Sequence, residues 1–346
     1  MRVKGDNFFM IIRNYLTVYL PVQRCFSAHT IKSYKDTLNL LLDYLQKKQG
    51  LKLNQITFEI FNAALVRAFI EWLRSERSCG VSSQNQRLAA LKSFFKYAGI
   101  MEPSCLSIQI EVAQIPMKKT SSAVVGFMSE PALQAILKQP SMKNSRGLRD
   151  TFFMVLMYDT AARLSELLSL RVKHIRIQPK TSTVSLMGKG SKARLVPIMD
   201  KTAEHFQQYL KVFHPAETRN EDDLLFFTVI HGAKQPMSPD TVASFVRKYG
   251  EKAKCECPET PDKVHPHQFR HTRAIHLYRN GMPMTLLSEF LGHANYNTTQ
   301  IYAYADTEMK RAAIRKAENR NPAIASVQPI WSIEDEDMMR KLYGLK

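Results

Sequence analysis

Residues 264–305, VHPHQFRHTRAIHLYRNGMPMTLLSEFLGHANYNTTQIYAYA, decide how this chain is read. Leu277, Leu286, Leu287, Phe290 and Leu291 recur at helical spacing, and Asn280-Gly281-Met282-Pro283 divides them into two helices. Gly292 fits the stop of the second helix and places His293 at its exit. His267 and Arg270 lie three residues apart, so on a helix they share a face and can converge on one anion. Tyr302 follows Thr298-Thr299-Gln300-Ile301, close enough to fold back toward the same point. Two histidines, an arginine and a phenol around one anion point to chemistry on a phosphate.

The composition agrees with a polyanionic partner. The 346 residues carry 49 Lys and Arg against 31 Asp and Glu, a net charge of +18. Each phosphate neutralised by such a surface releases counterions, which drives association with nucleic acid. The length suggests about two domains. Five cysteines, an odd number, do not make a disulfide framework and place the chain in a reducing compartment. No apolar run reaches the ~20 residues of a membrane span. The apolar patch Phe8–Ile12 ends at Arg13 without a cleavage site, so no secretory signal is expected.

Outward from the opening stretch, residues 1–115 read as a helical bundle. Phe9, Ile12, Tyr15, Leu16 and Tyr19 give one helix. Ser27 as N-cap and Gly50 as stop bound a second. A third covers about 58–74, and a fourth opens after Ser82-Ser83. Lys32, Lys35, Arg87, Lys92 and Lys96 fall mostly off the apolar stripes; a solvated face explains each, and together they are candidate DNA contacts. From about Cys105 periodicity weakens, and residues 116–127 read as a linker. A second domain is expected over 128–320, opening with a helix after Ser129-Glu130-Pro131 and continuing with helices over 148–158 and 163–170. Val172–Ile177, Thr183–Leu186 and Arg194–Ile198 predict a small antiparallel sheet turning at Gly188-Lys189-Gly190-Ser191. Helices follow over about 200–212 and 239–253. Residues 321–346 form a tail whose Trp331–Leu345 segment predicts an amphipathic helix bearing Trp331, Ile333, Met338, Met339 and Leu342. The fold class is therefore mainly α with a small antiparallel β-sheet.

Three further residues join the site if their segments meet it. Arg163 precedes a short helix, where its fork and free backbone N–H groups can face a phosphate. Glu166, one turn on, can orient that guanidinium, and Lys189 sits on the hairpin where it can reach a leaving group. Each element has a plainer reading. Arg163 with Glu166 can be a surface pair, and the Gly-Lys-Gly-Ser turn an ordinary hairpin without the P-loop spacing. His265 reads as positional, and His271 as a packed structural histidine. Cys255-x-Cys257 with His265 and His267 is a poor zinc knuckle, so no metal is expected.

The segments Ala-Arg-Leu-Ser-Glu-Leu, Gly-Lys-Gly-Ser-Lys-Ala-Arg-Leu-Val-Pro, His-Gln-Phe-Arg-His, Leu-Gly-His and Thr-Thr-Gln-Ile-Tyr, in that order, resemble the catalytic boxes of the tyrosine recombinase (phage integrase) family, most closely its two-domain Xer-like members. The likeness covers most of residues 5–305. It implies an N-terminal SAM-like core-binding bundle and a C-terminal catalytic domain. Tyr302 is then the nucleophile that forms a 3′-phosphotyrosyl link to DNA. Arg163 and Arg270 clamp the non-bridging oxygens, Lys189 protonates the departing 5′-oxygen, His267 assists proton transfer from the tyrosine, and His293 hydrogen-bonds the phosphate. Many relatives carry tryptophan at the position of His293; here it is histidine. Lys192, beside Lys189, is a further candidate DNA contact.

The resemblance also implies a double-stranded recombination site as partner, a tetramer on two duplexes built from protein that is monomeric when free, and a bacterial cytoplasmic, nucleoid-associated location. It implies no cofactor, since the phosphotyrosyl bond conserves the energy of the diester. The expected role is integration and excision of a mobile element, or Xer-like resolution. A type IB topoisomerase-like enzyme and a DNA-binding regulator with a vestigial site are the alternatives; the N-terminal bundle argues against the first and the intact site against the second. The tail is expected to dock on a neighbouring subunit. Unchanged assembly after deletion beyond about residue 325 would refute that expectation.

Overall fold

A computed structural model describes residues 6–120, 126–188, 193–293, 295–304 and 336–344. The chain packs as two units, residues 1–123 and 124–346.

In the first unit α1 (Asp6–Asn14) continues as a wider π-type helix over Tyr15–Gln23. Helix α2 (Ala28–Gln49) starts where the Ser27 hydroxyl accepts the Thr30 N–H and stops at Gly50, φ +66°. Helix α3 (Ala63–Ser75) opens later than its periodicity suggests, because the Asn62 side chain accepts the Leu65 N–H and Phe58–Ile60 forms a separate 3-10 turn. Helix α4 spans Val81–Met101. Helix α5 (Leu106–Ala113) occupies the stretch where the sequence pattern weakens. At eight residues it is too short to show a period, yet it buries Ile108 and Val112 in the same core as Phe8, Phe69, Leu91 and Phe94.

The second unit is built around α7 (Ser145–Thr160), whose Phe152, Phe153, Leu156 and Met157 are fully buried. Helix α6 (Glu130–Lys138), capped by Ser129, packs beside it. The short α8 (Leu164–Leu168) leads to a three-stranded antiparallel sheet, β1 (Ile175–Arg176), β2 (Thr183–Met187) and β3 (Ala193–Pro197). Val172–His174, expected as strand, is a 3-10 turn. Helix α9 (Asp200–Phe213) sends Phe206 and Tyr209 against Phe152 and Phe226. A second hairpin, β4 (Phe227–Ile230) with β5 (Ala233–Pro236), was not expected. It turns at His231-Gly232 with φ +49° and +78°, the backbone that a two-residue turn with positive φ requires.

Helices α10 (Pro239–Glu256), α11 (Pro266–Arg279), α12 (Met284–Leu291) and α13 (Asn297–Tyr304) follow. The last three enclose a small core of their own, in which Ala161, Ile275, Leu287, Leu291 and Tyr302 are buried. Buried Asp159 anchors this corner by accepting from the Met199 N–H, the Thr202 hydroxyl and Arg273. From the tail only α14 (Glu336–Leu342) is described, with Leu342 exposed. Trp331 and Ile333 lie outside the described residues. Among the described residues no helix is long and apolar enough to cross a membrane.

Candidate active site

The site is organised by the C-terminal end of α12. Gly292 takes a left-handed conformation there, φ +62°, leaving the last carbonyls of the helix without helical partners. Three arginines reach three consecutive carbonyls. Arg194 Nε donates to Phe290 O at 3.1 Å, Arg270 Nη2 to Leu291 O at 2.7 Å, and Arg163 Nη2 to Gly292 O at 3.1 Å. Cations belong at this end of a helix, where the aligned peptide dipoles place negative charge.

Each arginine has a second anchor. Arg270, 2% exposed, also donates from Nη1 to Ala161 O at 2.6 Å. Ala161 ends α7 in a left-handed conformation unusual for alanine, φ +48°, ψ +29°. Arg163 and Arg194 share Glu166, which is 4% exposed. The carboxylate accepts Arg163 N and Nη1, both at 2.8 Å, and Arg194 Nη1 and Nη2 at 2.9 and 2.8 Å. Burial pushes the Glu166 carboxyl up, but these hydrogen bonds and the charge of Arg194 together hold it below the usual carboxylate range.

Arg194 was not singled out in the sequence, although it lies within a quoted motif. On β3 it stands two residues before buried Val196 and opposite buried Leu186, so it is an arginine on the inward face of a strand. That alternation is the signal that could have marked it.

Tyr302 is 1% exposed, its ring in the small core and its Oη 2.9 Å from Nδ1 of His271. The structure thus brings His271 to the phenol, one helical turn beyond the His267 expected to serve there. His267 is exposed, its ring edge-on to that of His271 with centroids 4.4 Å apart. His293, leaving Gly292, contacts the Thr299 hydroxyl through Nδ1 at 2.8 Å. Lys189 and Lys192 lie outside the described residues.

The charge state follows from burial. His271 and His293 are both pushed down to about 4, chiefly by burial and then by neighbouring arginines and histidines. His267, although solvent reaches it, is lowered by partial loss of hydration among its packed neighbours, then by Arg270, His265 and Arg163. Burial, then the nearby Arg163, brings Arg270 down to about 10, still charged at neutral pH. The Tyr302 phenol is raised by burial, which outweighs the opposing pull of Arg270 and Arg163. With no anion bound, the histidines and phenol are neutral and the arginines carry the positive charge. A phosphate entering here meets fixed donors and relieves the repulsion between the arginines.

In the first unit Lys32, Lys35 and Lys96 are exposed. Arg87 is tied to α2 through Ser33 O and the Thr37 hydroxyl, at 2.9 and 3.0 Å, and Lys92 to Ala113 O at 2.8 Å. Those two therefore hold helices together. All five cysteines are unpaired, and among the described residues no group of three or more His, Cys, Asp or Glu is placed to hold a metal.

Comparison with known proteins agrees with this geometry. Residues 126–309 match the phage integrase family, and residues 12–99 match the phage integrase N-terminal SAM-like domain. The chain is 31% identical over 308 residues, covering 88% of it and 90% of the relative, to y4rC of Sinorhizobium fredii, provisionally designated an integrase/recombinase. It is 28% identical over 301 residues to the tyrosine recombinase XerC of Staphylococcus aureus strain USA300, covering 87% of this chain and 94% of XerC. The fold is shared with the XerH site-specific recombinase bound to palindromic difH substrate (TM-score 0.64, 20% identity, 85% and 82% of the two chains). It is shared too with the Tn1549 transposon integrase bound to transposon right end DNA (TM-score 0.66, 16% identity, 92% and 100%). A family match over more than half its length, together with that 31% identity, establishes that the chain belongs to the phage integrase family: it is a tyrosine recombinase.

Proposed function

We propose that this recombinase binds a specific double-stranded site and cuts and rejoins it through Tyr302. The observation that carries the reading is that Arg163 and Arg270 converge on the end of α12, at Gly292 O and Leu291 O, while Tyr302 of the same chain shares a small core with Leu291. The two guanidinium groups take the non-bridging oxygens of the scissile diester, exchanging carbonyl partners at the end of α12 for phosphate. His293 donates to the same phosphate. The Tyr302 oxygen bonds to phosphorus, the bond to the 5′-oxygen breaks, and a 3′-phosphotyrosyl link and a 5′-hydroxyl result. Lys189 supplies the proton that the leaving oxygen takes up. Attack by a 5′-hydroxyl of a second strand reverses the step, so the chemistry consumes no ATP.

Fixed positive charge at the phosphorus is the largest catalytic contribution, and loss of one such donor typically lowers the rate ~10²–10³-fold. Strand exchange requires two duplexes and hence four copies assembled on DNA. Of the five candidate bundle residues, the exposed Lys32, Lys35 and Lys96 meet the backbone. The biological setting is integration and excision of a mobile element or Xer-like resolution, in the bacterial cytoplasm.

The test is incubation with a suicide duplex that traps the cleaved strand. A covalent protein–DNA adduct forms with the unaltered chain and is absent with Tyr302→Phe, which still binds the duplex. An adduct that survives Tyr302→Phe overturns the assignment.

A further inference from the structure

We propose that His271 is the catalytic base for Tyr302, taking the phenolic proton on Nδ1 as the tyrosine oxygen attacks phosphorus. This rests on the recombinase reading above and assigns the one proton in it that the motif residues leave without a receiver in contact. The 2.9 Å separation is a hydrogen bond to the reacting atom itself. The alternative acceptor, His267, is an exposed residue one turn away whose ring lies edge-on to that of His271, the histidine that holds the hydrogen bond to the phenol.

The surroundings suit the task. His271 is neutral in the empty site, so a lone pair is available at neutral pH. The groups that face it are His265, His267 and Arg270 from the start of its own helix, and His293 and Tyr302 from the segment after α12. Arg270 is the fixed cation of that set. An incoming phosphodiester brings negative charge beside Arg270 and His293, which raises the basicity of His271 as the phenol needs to lose its proton. Base and nucleophile are thus matched when substrate is bound and mismatched when it is not.

The step balances. The proton moves from Tyr302 Oη to His271 Nδ1, the Oη–P bond forms, and the P–O5′ bond breaks. On rejoining, the phenolate leaves phosphorus and recovers the proton from the His271 imidazolium.

The test is single-turnover cleavage of a duplex with a 5′-bridging phosphorothiolate, whose leaving group needs no proton, so that removal of the phenolic proton alone is read. Asparagine keeps a polar atom near the Nδ1 position and cannot take a proton. For His271→Asn the expected result is DNA binding within about twofold of the unaltered chain and a rate lower by ~10²–10⁴-fold, the usual contribution of a general base. Its rate should rise about tenfold per pH unit between pH 6.5 and 9, as the phenolate fraction does, while the unaltered chain stays nearly flat. Replacing Tyr302 by 3,5-difluorotyrosine, a more acidic phenol, should recover part of the rate lost in His271→Asn. A His271→Asn rate within threefold and an unchanged profile overturn the proposal, as does the sloped profile appearing in His267→Asn instead.

If His271→Asn does not fold, the ¹⁵N shifts of the His271 ring in the unaltered chain decide. An unprotonated Nδ1 supports the assignment, and an Nδ1–H donating to the phenol overturns it. Failure of the unaltered chain to form any adduct refutes the recombinase reading itself; a normal adduct with an unaffected His271→Asn refutes only this assignment.

Discussion

Arg194→Ala tests whether the site is held by its arginine–carboxylate lattice. The substitution removes two charge-assisted hydrogen bonds to Glu166, at 2.9 and 2.8 Å, and the 3.1 Å bond to Phe290 O. The Glu166 side chain is 3% exposed and that of Arg194 13%, so these bonds are made largely out of water. Removing one partner of a buried pair typically costs about 3–5 kcal/mol, because the other charge is left uncompensated. Here Arg163 still donates to Glu166 from its backbone and Nη1, which sets the expectation at the lower end, about 3 kcal/mol.

For a unit spanning residues 124–346, that corresponds to a fall in midpoint of about 6–12 °C. Calorimetry of the full chain at pH 7 measures it. The freed Glu166 also lets the Arg163 guanidinium drift from its place beside Gly292, and misplacement of that order lowers rates about 10²-fold in suicide-duplex cleavage. Arg194→Lys, which keeps the charge without the fork, should fall between. The carboxyl of Glu166 is held below its ordinary value of 4.5, so its stabilisation is complete above that pH and vanishes as pH falls through the shifted value. The difference between the two proteins should therefore shrink in acid. An Arg194→Ala chain that unfolds within about 1 kcal/mol of the original and cleaves at the same rate refutes this account of the site.

Two more outcomes follow from the same geometry. Gly292→Ala forces alanine into φ +62° and sets its Cβ 2.9 Å from Arg194 Nη1, so denaturant unfolding should show a loss of about 1–2 kcal/mol together with slower cleavage; no change in either contradicts the assigned role of that turn. His271 and His293 are pushed from 6.5 to about 4, so the free protein should be fully stable against their protonation above pH 6.5 and lose stability as pH falls toward 4. Thermal unfolding at pH 7 and pH 5 measures this. A midpoint unaffected by that change, or a fall no smaller in His293→Asn, counts against burial as the cause.

Local chemistry made much of this chain legible as sequence. Ser27, Gly50, Ser129 and Gly292 bound their helices as cap and stop residues do, because the groups they satisfy or the conformations they allow lie within one turn. The β2–β3 pairing showed in its β-branched residues and the glycine-containing turn between them. Helix α5 and the β4–β5 hairpin escaped, the first because eight residues are too few for a period, the second because its strands are largely exposed. The succession of motifs ending in Tyr302 pointed to Arg163, Arg270, His293 and Tyr302 as candidates, because each lies in a short local segment that can be recognised by itself.

Contact geometry was decided only by the fold. Helical spacing placed His267 and Arg270 on one side of α11 but could not say which neighbour would meet the phenol. Where α13 docks against α11 determines that His271 rather than His267 touches Tyr302. Likewise, the sequence offered Glu166 one arginine, three residues away, and the closure of β3 against α8 and α12 supplied the second. A residue's type is written locally and can be read from one chain segment. Whether it is buried, what it touches and therefore where its proton resides depend on segments over a hundred residues apart, and only packing brings those together.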